Sequence, residues 1–239
     1  AVNPDIFKPK TQDEIKAWRN AKPELKDKFV CFWNSRNARR KQSGTLIFWF
    51  KKFLDQVGHD KAVLIMHTDG KDVHGQALQR IISDHGLDNG QVLFSQEKVQ
   101  NRDLAQMYGC ADVTICISDA EGFGLSTLES LSCGTPILVN MTGGLQDQAT
   151  DGERFFGKGI HPASKAIIGS QEVPYIYEDR LNEDDFVNAL KEIYELSEED
   201  RLQLRTDCAA WARDRFNFDN FVESWDNLFT KIYEEKGSW

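Results

Sequence analysis

D-A-E-G-F-G-L-S-T-L-E-S-L-S-C-G-T-P-I-L-V-N-M-T-G-G, residues Asp119 to Gly144, decides how this chain folds. The apolar run Val113-Thr114-Ile115-Cys116-Ile117 leads into it and reads as a buried strand. Glu121-Gly122-Phe123-Gly124 follows as a tight glycine turn, and Leu125 to Cys133 has helical spacing. Gly134-Thr135-Pro136 breaks that helix, and Ile137-Leu138-Val139 is the next strand. Glycines between a strand and a helix let a ligand come close to the backbone, and the helix N-terminus behind them attracts an anion. Glu121 and Glu129 flank that anion site, with seven residues between them.

Outward from this unit, short apolar runs alternate with amphipathic helices. Further strands are expected at Phe29–Trp33, Ala62–Met66 and Val92–Phe94, and helices at Thr45–Val57, Gly75–His85 and Asp103–Cys110. Such alternation implies right-handed βαβ units. The fold class is therefore α/β, a Rossmann-like parallel sheet flanked by helices. Ligands in such sheets bind beyond the C-terminal strand ends. Ala1 to Lys10 reads as an extended connector, and Thr11-Gln12-Asp13-Glu14 as a capping box opening a helix. Residues 11–217 form the Rossmann-like domain. Thr150–Tyr177 has no clear period and reads as a long irregular loop with one strand near Tyr175–Tyr177. Three helices close the chain, Asp184–Leu196, Ser197–Phe216 and Phe218–Glu235, the last within a C-terminal segment 218–239.

Composition narrows the function. The 239 residues carry a formal charge of −9, which excludes a general nucleic-acid binder. No apolar run is long enough to cross a bilayer. Five scattered cysteines with no C-x-x-C pair read as buried free thiols of a reducing, cytoplasmic compartment. With no D-x-D tandem and no P-loop, no dedicated metal is expected.

Against the acidic background, the loop after the first strand concentrates Arg36, Arg39, Arg40 and Lys41 within six residues, just before a helix start at Ser43 or Thr45. Cations and a helix N-terminus together suit a diphosphate, although a solvated basic loop has the same composition. Glu121 stands outside the helix, where an ionised carboxylate accepts hydrogen bonds from sugar hydroxyls. Glu129 also fits a capping box begun at Ser126. Thr142-Gly143-Gly144 is either a turn before the short helix Leu145–Ala149 or a source of backbone N–H groups for sugar or phosphate; the convergence of the other loops favours the latter. His67, in His67-Thr68-Asp69-Gly70, is expected to line the cleft or cap its strand rather than to act as an acid or base. His59, His74, His85 and His161 lack partner spacing for a metal.

The string E-G-F-G-L-S-T-L-E-S-L-S-C-G-T-P, the basic loop S-R-N-A-R-R-K and the strand end L-I-M-H-T-D together resemble the C-terminal, donor-binding domain of retaining GT-B glycosyltransferases of the family 4 type. The resemblance covers residues 1–149 well and the last helices more loosely. It implies a nucleoside diphosphate sugar as donor substrate, no cofactor and a saccharide or other hydroxyl acceptor. Arg36 and Lys41 would hold the diphosphate, Glu121 the transferred sugar and Glu129 the donor ribose. Gly122, Phe123, Gly124, Leu125 and Ser126 would contact sugar and phosphates, with Gly143 and Gly144 beside them. Val99 would fall at the base. The connector resemblance implies a partner, an N-terminal domain holding the acceptor, toward which the stripe Phe221, Trp225, Leu228, Phe229 and Ile232 would reach; the simpler expectation is that this helix packs on its own sheet. Peripheral membrane attachment through such a domain is compatible with this. A non-catalytic nucleotide-sugar module, a GT-B epimerase and a phosphorylase are the alternatives.

Overall fold

The computed structural model describes residues 2–237. Its main sheet is built from β1 (Phe29–Asn34), β2 (Ala62–His67), β3 (Val92–Ser95), β4 (Val113–Cys116), β5 (Ile137–Asn140) and β6 (Gly157–Ile160). They lie in the order β3-β2-β1-β4-β5-β6, and every neighbouring pair is parallel. This is the doubly wound order, in which the direction of progression reverses between β1 and β4.

Alternation along β1 shows why both faces must be covered. Phe29, Cys31 and Trp33 join one apolar cluster, with α2 (Ser43–Val57), α3 (Leu78–Asp84) and α7 (Glu183–Tyr194). Val30 and Phe32 join another on the opposite face, with α4 (Asn101–Cys110). A third cluster packs β5 against α5 (Leu125–Ser132), α6 (Leu145–Ala149) and α8 (Glu198–Arg215). Successive strand residues point to opposite faces, so an all-apolar strand requires helices on both. All five cysteines are buried and free; burial pushes Cys133 up to about 12.

The capping box forms as expected on α1 (Gln12–Asn20): Glu14 N–H donates to Thr11 Oγ1 at 3.2 Å, and Thr11 N–H to Glu14 at 2.8 Å. The connector is less extended than its prolines suggest. Asn3 to Phe7 makes a turn, and Phe7 is buried against Tyr108.

Thr150–Tyr177 is not one irregular loop. It supplies β6, then β7 (Ser164–Ile167), which pairs antiparallel as a hairpin with β8 (Tyr177–Arg180), a strand beginning at the segment's last residue. The strand expected at Tyr175–Tyr177 begins only at Tyr177. β6 reads Gly-Lys-Gly-Ile, and its glycines hid it. Gly157 sits at φ +129°, and a Cβ there would lie 2.0 Å from the Ile137 carbonyl. Close packing against β5 excluded the apolar side chains by which strands are recognised.

The final helix α9 (Phe218–Lys236) has no buried residue, which overturns the expectation that it packs on its own sheet. Phe221, Trp225, Leu228 and Phe229 are each 45–57% exposed. A groove of about 690 Å³ opens where α8 meets α9, walled on its other side by the connector residues Val2, Pro4 and Phe7. Among the described residues no helix is long and apolar enough to cross a membrane.

Candidate functional site

The strand-order reversal places the loop after β1 beside the loop after β4. Asp119 N–H donates to the Arg40 carbonyl at 2.8 Å, tying the two backbones together. Lys41 reaches across and pairs with the Glu121 carboxylate, and Arg40 lies 3.3 Å from the same oxygen. Lys41 and Glu121 side chains are only 14% and 13% exposed, so little water screens their pairing. The fold has thus brought together two residues 80 positions apart.

Arg36 goes elsewhere. Its guanidinium is 63% exposed and turned to the loop after β2, pairing with Asp72 at 2.5 Å and lying 3.1 Å from His74. That hydrogen bond holds the Asp72 carboxyl well below the usual range. Arg39 is also engaged, giving two hydrogen bonds, 3.0 and 2.5 Å, to Glu178 of β8.

Two helix N-termini face this region, and they differ. At α2 the cap is Gln42, in a left-handed conformation with φ +56°. The Gly44 N–H is already taken by Gln76 Oε1 at 2.7 Å, and Ser43 donates to Asn37 Oδ1 at 2.7 Å. At α5 the cap is Gly124, φ +90°, and no side chain caps the helix. The capping box expected from Ser126 to Glu129 is absent: the helix begins earlier, at Leu125, which puts Ser126 inside its first turn. Of the two first turns, that of α2 has one N–H taken by a side chain, whereas among the described residues that of α5 has none.

The glycine turn before α5 is tied down through its carbonyls. Gln148 Nε2 donates to Phe123 O at 2.6 Å and to Gly124 O at 3.1 Å, and Gly144 N–H donates to Glu121 O at 3.2 Å. A Cβ on Gly143 would lie 1.9 Å from Glu121 O, and one on Gly144 2.6 Å from Gly122 O. Both glycines are thus needed for the two loops to touch, and the Gly144 N–H is already spent on that contact. Gly122 is open, with nothing within 4 Å of its Cβ position, and Phe123 and Leu125 are exposed.

His67 ends β2, in one row with Asn34 of β1 and Ser95 of β3. Its Nδ1 lies 2.9 Å from Ser95 Oγ, and burial lowers its pKa, so it is a neutral strand-end residue near pH 7. Val99 lies half-exposed in the loop after β3, on the same edge of the sheet but at its outer strand. Glu129, half-buried one turn into α5, accepts a hydrogen bond from Tyr108 at 2.9 Å. Among the described residues no cluster of His, Cys, Asp or Glu could hold a metal ion.

The hairpin supplies site residues that sequence reasoning missed. Consecutive residues of β8 bind three different loops. Glu178 takes Arg39, Asp179 accepts from Thr142 at 2.7 Å, and Arg180 lies 3.3 Å from Asp119, whose Oδ2 also accepts from Gln42 at 2.5 Å. Burial pushes the Asp119 carboxyl up to about 6, with the Gln42 hydrogen bond and the Arg180 charge opposing. The Arg39 hydrogen bond draws Glu178 the other way, so on acidification Asp119 takes up a proton before Glu178 does. Glu178→Ala leaves Arg39 and Arg180 without this enclosed partner and should cost about 1–3 kcal/mol of stability, readable by denaturant unfolding. An unchanged midpoint would show that the hairpin is not what holds the basic loop.

Comparison with known proteins gives the family and the fold. The family described as Glycosyl transferases group 1 matches residues 14–213. The chain belongs to that family. Among curated relatives of this group 1 chain, a D-inositol 3-phosphate glycosyltransferase of Paenarthrobacter aurescens (strain TC1) is 29% identical over 171 residues, 69% of this chain and 40% of the relative. Anabaena Alr3699/HepE, solved in complex with UDP and glucose, superposes with TM-score 0.72 at 18% identity over 97% of this chain and 55% of its own. The C-terminal domain of a group 1 protein, LpcC of Francisella tularensis, gives TM-score 0.65 at 16% identity, over 91% of this chain and all of the domain. These likenesses establish the expected fold, one half of the GT-B architecture. The chain spans about half the length of the Anabaena protein and 40% of the curated relative.

Proposed function

We propose that this chain is the donor-binding domain of a retaining glycosyltransferase of the family 4 type, which takes a nucleoside diphosphate sugar. The observation that carries the reading is the meeting of Lys41 and Glu121 beside the uncapped N-terminus of α5. Lys41 and Glu121 neutralise each other. An entering donor separates them: the diphosphate takes Lys41 and the α5 N-terminus, and sugar hydroxyls donate to Glu121. As the glycosidic bond breaks, negative charge grows on the departing diphosphate, and fixed cations there stabilise the transition state more than the ground state. Arg36 joins them by exchanging Asp72 for phosphate. Glu129 receives the ribose, and Val99 borders the base.

A UDP complex in the Anabaena neighbour supports a nucleotide ligand, and relatives named glycosyltransferases favour transfer over a non-catalytic module. The acceptor falls to a second, N-terminal domain. The exposed stripe of α9 and relatives of roughly twice the length support that partner. Buried free thiols fit a cytoplasmic setting.

Thermal unfolding of the chain with UDP, GDP, ADP and their sugar conjugates tests the donor site. A ligand at a hundred times its Kd adds about 2.7 kcal/mol, and should raise Tm by several degrees. The shift should vanish in Glu129→Ala. No shift with any nucleotide would overturn a self-sufficient donor site in this chain.

A further inference from the structure

Glu129 does not meet the site alone. Its Oε2 accepts a hydrogen bond of 2.9 Å from Tyr108 Oη of α4, and that hydroxyl accepts one of 2.8 Å from Asn34 Nδ2 at the end of β1. Tyr108 is fully buried, its ring set edge-on to Phe32 at 5.0 Å, and its backbone carbonyl accepts from Thr135 at 2.7 Å. A phenol has one proton and points it at Glu129, so Asn34 must donate; the hydrogen bonds run in one direction only. Among the described residues Oε1 of Glu129 has no partner.

A phenylalanine would fill the same space. Among the described residues the hydroxyl hydrogen-bonds only to the Asn34 amide and the Glu129 carboxylate, so its polar contribution is to Glu129. Burial raises the Glu129 pKa and the Tyr108 hydrogen bond opposes that rise. The phenol, pushed well above its ordinary range by burial and by the nearby carboxylate, keeps its proton.

We propose that Tyr108, held by Asn34, is a positioning residue that occupies one oxygen of Glu129 and presents the other to a vicinal diol, so that the site prefers ribonucleoside to deoxyribonucleoside diphosphates. The proposal rests on the assignment of Glu129 to the donor ribose.

Calorimetric titration of the wild-type chain and Tyr108→Phe with UDP, GDP and ADP, and with the 2′,3′-dideoxy form of each, reads the effect on affinity. In Tyr108→Phe the Kd of the ribonucleotide that binds should rise roughly tenfold, the scale of one hydrogen bond to a charged group. The Kd of its dideoxy form should stay within about twofold, and Asn34→Ala should repeat the pattern at smaller amplitude. Equal weakening of both forms would mean that the hydroxyl only supports packing, and no weakening that it does nothing for the ribose; either overturns the proposal. A carboxyl NMR titration of Glu129 separates this from the donor reading, because it needs no nucleotide. Loss of the phenol should move that titration to higher pH. If it does, while wild-type protein binds both sugar forms equally or neither, the ribose assignment has failed and the positioning stands. If it does not move, the positioning has failed whatever the nucleotides do.

Discussion

On the proposed donor reading, Lys41→Ala should lower kcat/KM for sugar transfer by roughly 30- to 1,000-fold, the loss of about 2–4 kcal/mol of transition-state stabilisation expected for one preorganised donor aimed at developing negative charge. Lys41 is the cation to remove because of where the fold has put it. It is nearly enclosed and paired with Glu121, whereas Arg39 is committed to Glu178 and Arg36 is well exposed and paired with Asp72. A guanidinium in open solvent is screened, and phosphate must compete with Asp72 for it, so Arg36→Ala should cost less. The fold itself should survive Lys41→Ala, because Arg40 still lies 3.3 Å from the Glu121 oxygen. Steady-state kinetics with a matched unfolding curve tests both statements. Near-normal turnover would remove Lys41 from the chemistry, and a collapsed unfolding curve would make its loss of activity uninformative.

Gly143→Ala should unfold the site from within. The backbone there is left-handed, φ +49°, which costs an alanine about 1–2 kcal/mol by itself. Its Cβ would then lie 1.9 Å from the Glu121 carbonyl oxygen, far inside contact distance, and that atom belongs to backbone with no rotamer to change. The loops after β4 and β5 must separate, breaking the bond from Gly144 N–H to Glu121 O. A total of about 3 kcal/mol or more is expected, or roughly 6–12 °C in Tm for a domain of this size. Donor affinity should fall as well, since Glu121 moves. Gly122→Ala is the control: its Cβ meets nothing within 4 Å, so Tm should hold within a few degrees, while close approach of a donor to that backbone is still impeded. Equal Tm for the two variants would mean that the loops are not packed as described.

Asp119–Gly144 largely announced its own local structure. A run of apolar residues, a glycine turn, a helical period and a Gly-Thr-Pro break are local signals, and β4, α5 and β5 fall where they were expected. Charge concentration marked the basic loop for the same reason. What lay between the glutamates was less legible. Ser126 to Glu129 has capping-box spacing, yet the helix starts at Leu125, and the carboxylate turns to Tyr108. Spacing cannot weigh a cap against a buried partner on another helix.

The linear order of residues by itself determined the α/β class, most strand and helix positions and the candidate pair Glu121 and Glu129, because hydrophobic period and turn chemistry act over a few neighbours. Tertiary structure alone decided which cations meet Glu121, that Gln76 takes an N–H at the start of α2 and that β8 braces three loops at once. It also decided that Gly157 and Gly143 are needed for contact with the Ile137 and Glu121 backbones. Those outcomes depend on distances between segments far apart in the chain. Such distances exist only once the sheet has set β1 beside β4 and β6 beside β5.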